Sequence, residues 1–557
     1  MKFSGGTIVA KLLRSLGVSY VFGMPGGQTL PIYMGILDEH PHMRHVLFRC
    51  EKCAVYAADA YARVSSRPGV CDGTVGPGAT NMVSGVAEAW GASIPLIVMT
   101  SDIHTWMVGK WASQECDQMA MMKPFVKAGF YLSRTDRIAD AVQKAFRIAT
   151  TGRPGPVHLD FPMDVVMDEA EFDPDLQVDV EHSHYPSVRT APDSDSVNKA
   201  SELILRAERP VLVAGGGVVT SGAWDELRRL AELLAIPVVT TIMGKGSMPE
   251  DHPLSLGVGG SSGKTCANKA MSDADLVVFV GCKTGQFATM NWTLPRPGTR
   301  IVHVDVDPGE IGRNFPTDVG VVGDARLSLK ALVDRLKEMM TFKSSCVAPR
   351  LEEVRRAVKV WRDSVEPRMV SDEVPIRPTR LVREMRRFLS DDAILTCDAS
   401  LASFWGAIFF DVRRAGRYFL APRGMAGIGA GFSFALGAKV AAADRQVMGL
   451  GGDGGFGMSL HELETARRMN LPVVYAVLND SALGWIKLGE LATFKRTISA
   501  DFTQLDFSKI AEAFGCNGIR VERPGEIAEA ISDGFRSGVP TVLDVVTGVE
   551  LPSPHLV

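Results

Sequence analysis

The chain has 557 residues, 46% of them hydrophobic, and a formal net charge of −4. That length predicts several domains with large cores, and the nearly balanced charge excludes a nucleic-acid or membrane-surface binder built on a basic face. No apolar run reaches the ~18 residues of a membrane span, and nine scattered cysteines, an odd number, read as the thiols of a reduced, cytoplasmic protein.

The opening MKFSGGTIVAKLLRSLG holds Lys11 and Arg14 inside its apolar stretch and spaces Ile8, Leu12 and Leu16 by four, a helix pattern rather than a signal peptide. Further on, the apolar run VLFR leads into a helix headed by Cys50-Glu51-Lys52-Cys53. A redox dithiol occupies such a place. A zinc site would need a second pair at matching spacing, and the sequence has none, so the cysteines read as two small residues flanking Glu51. The runs PLIVMT, RPVLVAG, IPVVTT, DLVVFVG, RIVHVDV and PVVYAVLN then alternate with amphipathic helices. Near-continuous apolar strands between helices predict parallel sheets covered on both faces.

Two stretches break the pattern. Residues 166–195 are acidic and contain proline, and 341–378 carry the charged helix RLEEVRRAVKVWRDSV followed by EVPIRP. Read as linkers, they divide the chain into an α/β protein of three doubly wound parallel-sheet domains over 1–165, 190–340 and 375–552. The outer two echo each other. RPGVCDGTVGPGATNMVSGVAEAWGASIPLIVMTSD and RQVMGLGGDGGFGMSLHELETARRMNLPVVYAVLND both run strand, Gly-rich turn, helix and Pro-led strand, ending in Ser-Asp or Asn-Asp. They suggest two similar domains facing one ligand.

In the second of these, Gly449, Gly451 and Gly454 spell the dinucleotide fingerprint G-x-G-x-x-G, and Asp480 follows Gly454 by 26 residues. Asp453, however, would set a carboxylate where backbone N–H groups should face phosphate, and the strand ends in two hard oxygen side chains, Asn479 and Asp480. The other reading is a metal clamp. Asp453 and Asp480 leave adjacent strands at one sheet edge, and Mg²⁺ takes one or two carboxylates plus phosphate oxygens. Gly452, Gly454 and Gly455 then let the backbone approach an organic diphosphate at a helix N-terminus. His461-Glu462 imitates the start of a zinc-protease motif, but position 465 is Thr.

GDG followed some 25 residues later by an Asn-led pair resembles the signature of thiamine diphosphate (ThDP) enzymes. FGMPGGQTLPIYMGIL, FRCEKCAVYAADAYARVSSRPGV, TVGPGATN, TTGRPGPVHLDFPMDV and HVDVDPGEIGRN, in this order, are similar to segments of the acetohydroxyacid (acetolactate) synthase-like branch, so the resemblance spans essentially the whole chain. It implies pyrimidine-binding, middle and diphosphate-binding domains. It implies that Glu51 hydrogen-bonds the cofactor aminopyrimidine, that Ile428 of GMAGIGAGFSFALGA supports its bend, and that the Ala426 backbone lies against the pyrimidine. Asp453, Asp480 and the Ala482 carbonyl become the Mg²⁺ ligands, with Asp480 standing where the family usually has Asn. Asn479 taking that role is the alternative. Further cofactor contacts fall at Gly27, Pro77, Asn81, Ala399, Ser400, Leu483, Gly484, Trp485 and Ile486. The resemblance also implies active sites between subunits, hence a homodimer or homotetramer.

The substrate pocket departs from the pattern. Where acetohydroxyacid synthases carry Phe-Gln-Glu, this chain has Ser113-Gln114-Glu115. Where they carry Arg-Phe-Asp-Asp-Arg, it has Lys283-Thr284-Gly285-Gln286-Phe287, which weakens the case for FAD. Trp485 falls earlier than the Trp by which they recognise a second keto acid. Gly215-Gly216-Gly217 after RPVLVA could still seat the adenine dinucleotide of FAD. Gln114 and His104 are the candidate acid–base residues, with Lys487 a third. The expected reaction is decarboxylation of a small 2-oxo acid and carbanion transfer to a carbonyl acceptor. QECDQMAMMKPFVKAGFYL is similar to oxalyl-CoA decarboxylases and 2-hydroxyacyl-CoA lyases, so an acyl donor is the alternative. A diketone hydrolase or a NAD oxidoreductase ranks below both.

Overall fold

The computed structural model describes residues 1–174, 176–340 and 347–552; residues 341–346 of the second expected linker lie outside them. It holds three six-stranded parallel sheets flanked by helices. The first runs, edge to edge, Arg44–Leu47, Tyr20–Gly23, Gly69–Gly73, Leu96–Asp102, Val157–Pro162 and Ala128–Tyr131. The third runs Phe419–Leu420, Ile394–Cys397, Val447–Gly452, Val474–Asn479, Thr541–Val546 and Asn517–Val521. Counted along the chain within each sheet, both have the order 2-1-3-4-6-5, so the echo read in the sequence is one of topology. The middle sheet has the order 3-2-1-4-5-6, that of dinucleotide folds.

The stretch 166–195 is more structured than the expected linker. Glu169–Glu171 pairs antiparallel with Lys2–Ser4, and the buried Tyr185 hydroxyl donates to the Ala62 carbonyl at 2.8 Å. Its acidic composition hid a strand whose partner lies at the start of the chain.

The chain forms two compact units. The first combines Met1–Val188 with Pro422–Asp444 and Gly457–Val473. Its first sheet buries Val70, Ile97, Met99 and Leu159 against the helices Gly5–Ser15 (Ile8, Leu12) and Ile138–Thr150 (Val142, Phe146). The helix Glu51–Ser65 is rich in buried alanine, and Gly431–Ala441 crosses it so closely that a Cβ on Gly437 would come within 2.0 Å of the Ala57 carbonyl oxygen. Small side chains are what permit that backbone approach.

The second unit comprises Arg189–Ala421, Arg445–Phe456 and the described residues from Val474 onward. Its middle and third sheets share one apolar core, in which Val277 and Phe279 join Leu395, Leu450 and Ala476. That unit also buries a group of charges. Glu250 accepts from Lys245 and from Lys264 (2.7 Å), and Lys264 also reaches Asp411 at 3.0 Å.

Candidate active site

In the first unit, Glu51 opens its helix and is 6% exposed. An acid in a first helical turn is favoured by the helix dipole, and Asn81 of the helix Pro77–Ala92 donates to its carboxylate at 3.0 Å. Burial pushes the Glu51 carboxyl above its ordinary range, the Asn81 bond opposes this, and the charges of Cys50 and Asp72 add to it. Gly78 stands so close that a Cβ there would lie 3.3 Å from a Glu51 oxygen. Gly78 of VGPGATN thus leaves room for this carboxyl. Gly76, at φ 69°, turns the chain into the helix, and Gln114, itself at φ 69°, packs its backbone against it. The loop carrying Gln114 is closed by Glu115, which accepts from the N–H groups of Gly109 (2.5 Å) and Ala112 (2.8 Å). His104 leads into the turn Thr105–Met107 and faces the Trp106 ring at 5.9 Å. The exposed Gly27 starts the turn Gly27–Thr29, whose Thr29 is buried and whose Gln28 accepts a 3.0 Å bond from Thr74.

The loop of Ala426 and Ile428 belongs to the same unit. The buried Glu88 accepts from the N–H groups of Gly424 (2.7 Å), Met425 (2.6 Å) and Ala426 (3.1 Å). Ala426 adopts φ 57°, and a Cβ on Gly427 would come within 2.6 Å of the hydroxyl of Tyr56 on the Glu51 helix. Glu88 is braced by Arg63 at 3.5 Å, which also pairs with Asp59. Sequence reading missed Glu88. A single acid amid the small and apolar residues of VSGVAEAWGA was the signal.

In the second unit, Gly452 and Leu478 are register partners, so Asp453 and Asp480 leave neighbouring strands at one edge. Asp453 is 5% exposed. Burial lifts its carboxyl to about 6, while the N–H groups of Gly454, Ser481 and Ala482 hold it down. Asp480 rises to about 7 through burial and then the charge of Asp453. Two buried carboxylates at one sheet edge, one raised by the charge of the other, suit a hard divalent cation, whose charge relieves both. Asn479 points elsewhere: its amide donates to Leu505 O at 2.9 Å and Asp544 at 2.8 Å. Asp480 therefore remains the open side chain of the pair. A Cβ on Gly484 would meet Asp480 Oδ2 at 2.9 Å, and one on Gly454 would meet Leu483 at 2.9 Å, whereas Gly452 has open space around it. Leu483 caps the helix Gly484–Phe494, on which Trp485 packs against Phe404, Ile486 is exposed and Lys487 pairs with Asp501 at 2.6 Å. Ala399 and Ser400 (φ 63°) form the turn between Ile394–Cys397 and Leu401–Phe409.

The apparent dinucleotide fingerprint has a packing explanation. A Cβ on Gly449 or Gly451 would lie about 2 Å from Tyr475, at 2.1 and 2.0 Å; both glycines are strand residues making room for that ring. The middle-domain glycines are likewise spent internally. Gly215 and Gly217 donate to Val280 O and Gly281 O at 2.9 Å, and a Cβ on either would collide with the Gly281–Cys282 turn. The expected seat for FAD is not supported, because the amides that would meet a phosphate already meet protein carbonyls.

Beside Glu51 stands a third group. Hydrogen bonding from Cys53 and His461 holds the Cys50 thiol at about 4, against the effect of burial. The bonds to Cys50 and Glu462 lift His461 to about 9.

Three family models match the chain in order: thiamine pyrophosphate enzyme, N-terminal TPP binding domain at residues 3–121, central domain at 197–332 and C-terminal TPP binding domain at 398–545. The three sheets are thus those of a thiamine pyrophosphate enzyme. Relatives include the probable acetolactate synthase large subunits of Methanococcus aeolicus and Methanocaldococcus jannaschii, 38% and 37% identical, each alignment covering 97% of this chain and 91% of the relative. The acetolactate synthase isozyme 3 large subunit of Escherichia coli is 32% identical over 96% of this chain and 92% of its own. The chain belongs to the thiamine diphosphate-dependent enzyme family, on its acetolactate synthase-like branch. With relatives of that kind along nearly its full length, the acyl-CoA lyase and decarboxylase alternative is not favoured.

Proposed function

We propose that the protein decarboxylates pyruvate or a similar 2-oxo acid and transfers the resulting carbanion to a carbonyl acceptor, as an acetolactate synthase does. The observation that carries this reading is Glu51, a buried carboxyl at a helix head with one oxygen fixed by Asn81. Thiamine diphosphate, when bound, supplies the electron sink that lets a 2-oxo acid lose CO₂. Glu51 would hold a proton at the pyrimidine nitrogen, and its raised carboxyl suits sharing that proton rather than surrendering it. Ala426 and Ile428, on the loop fixed by Glu88, would support the bent cofactor, with Gly27, Pro77, Asn81, Ala399 and Ser400 around it. Asp453, Asp480 and the Ala482 carbonyl would hold Mg²⁺, which neutralises the diphosphate. Gly452, Gly454, Gly455 and the turn Leu483–Ile486 would line that end. Gln114 and His104 are the proposed proton carriers at the substrate.

Homodimeric or homotetrameric assembly, a cytoplasmic location and domain limits near 1–165, 190–340 and 375–552 belong to the same proposal. The eight cysteines among the described residues are all free thiols, in keeping with the proposed reduced compartment. Among the described residues no helix is long and apolar enough to cross a membrane.

The test is incubation with ThDP, Mg²⁺ and pyruvate, following CO₂ and products by NMR against a cofactor-free control. Acetolactate is the expected product, and Glu51→Gln should lower turnover by about 10²–10⁴-fold. Saturable ThDP binding without pyruvate turnover would overturn the reading.

A further inference from the structure

The C-x-x-C pair has no second pair in the sequence, but the fold brings it a third ligand from far along the chain. Cys50 is the half-buried N-cap of the Glu51–Ser65 helix, and Cys53, one turn in, is fully buried. His461, on the turn Leu460–Glu462, brings Nε2 to 3.8 Å from Cys53 Sγ. Cys50 Sγ, Cys53 Sγ and a His461 ring nitrogen all lie within 4.8 Å of one another. Bonds of roughly 2.0–2.3 Å to a tetrahedral zinc ion separate neighbouring ligand atoms by about 3.5–3.8 Å. The three atoms therefore already stand near three corners of such a tetrahedron.

The surroundings hold this arrangement. Glu462, fully buried, receives the Arg49 N–H on both oxygens, at 3.1 and 3.2 Å, and the Thr465 hydroxyl at 2.6 Å. Arg468 donates to Leu47 O at 2.5 Å. The turn bearing His461 is thus fastened to the turn bearing the cysteines by bonds that do not use the three candidate ligands. Glu462 also lies 3.3 Å from His461 Nε2, the same nitrogen that faces Cys53 Sγ, so an ion bound there takes the place of that contact. The half-exposed His461 and Cys50 leave a path for entry.

We propose that Cys50, Cys53 and His461 form a binding site for one soft or borderline divalent cation of the zinc class, held by two thiolates and one imidazole with a fourth position open. Soft sulfur ligands separate this site chemically from the all-oxygen pair Asp453 and Asp480. Glu51 lies between the two cysteines in sequence, so an ion here fixes the helix end that presents it.

The experiment uses the full chain, stripped with a chelator, reduced, saturated with Mg²⁺ and ThDP to fill the oxygen site, and titrated with Co²⁺. The expected result is one Co²⁺ per chain with a thiolate-to-cobalt charge-transfer band and the intense visible bands of tetrahedral cobalt, both bleached by Zn²⁺. Cys53→Ser and His461→Gln should each weaken uptake by at least about tenfold. His461→Gln alters a partly exposed side chain, so it tests the site even if Cys53→Ser fails to fold. Absence of the charge-transfer band in the parent protein would overturn the proposal, as would its persistence at full strength in His461→Gln. Reduced protein that takes up no cobalt but loses two hydrogens between Cys50 and Cys53 under mild oxidation would make the group a dithiol pair and would likewise overturn the metal site.

Discussion

In the proposed metal site, Asp480 stands where the family resemblance implies Asn, and it sets a second carboxyl beside Asp453. Asp480→Asn removes the mutual repulsion. It should raise the stability of the cofactor-free protein by about 1–2 kcal/mol and make ThDP binding less dependent on Mg²⁺, read from binding isotherms at several Mg²⁺ concentrations. An unchanged Mg²⁺ dependence would remove Asp480 from the metal site. Asp160 makes a pH prediction of its own. It is buried, accepts from Thr100 (2.8 Å) and Gln118 (2.9 Å), and burial and then the charge of Asp102 raise its carboxyl to about 8. A carboxyl raised on folding favours the native state only while protonated. Stability from this group is therefore whole below its unfolded value near 4 and is lost as pH rises through about 8. Asp160→Asn should match the parent at pH 4 and exceed it at pH 8 by ~1–3 kcal/mol, measured by denaturant unfolding at both values. Equal stability at pH 8 would contradict the burial argument.

Among elements, the loop 424–428 depends on one side chain. Three charge-assisted bonds from its backbone converge on Glu88. Glu88→Gln keeps the shape and loses the charge. It should cost about 1–3 kcal/mol and weaken ThDP binding, a pairing that calorimetry can check. The strands of this fold were legible because both faces of parallel sheets are covered, which writes them as continuous apolar runs. Glu51, Asp453 and Asp480 were legible as motif residues, and the structure places Asp453 and Asp480 together. What could not be read was anything set by partners distant in sequence. Glu88 serves a loop 336 residues away and Cys53 meets His461 at a separation of 408. Gly449 and Gly451 imitate a phosphate loop because a ring on the neighbouring strand needs their space, and glycine is written identically for both reasons. Asn479 and Asp480 are adjacent in sequence, yet Asn479 is committed to Asp544 and Leu505, a choice that only packing makes.

For the whole molecule, the family resemblance implies catalytic centres that take the Glu51 side from one subunit and the Asp453 side from another. Mixing inactive Glu51→Gln with inactive Asp453→Ala under conditions of subunit exchange should restore activity, because a hybrid dimer has one centre free of both changes. No recovery despite exchange would place each centre within a single chain. The second unit carries a further consequence in the buried charges of Lys245, Glu250, Lys264 and Asp411. At ordinary temperature such a group repays little of what desolvation costs. Hydration of ions carries a strongly negative entropy, so water's hold on these four groups slackens as the solution is heated. The cluster that joins the Lys245–Lys264 segment to Asp411 therefore becomes relatively more favourable in the heat, while hydrophobic stabilisation around it levels off, and this corner of the protein is built to lose its cohesion late.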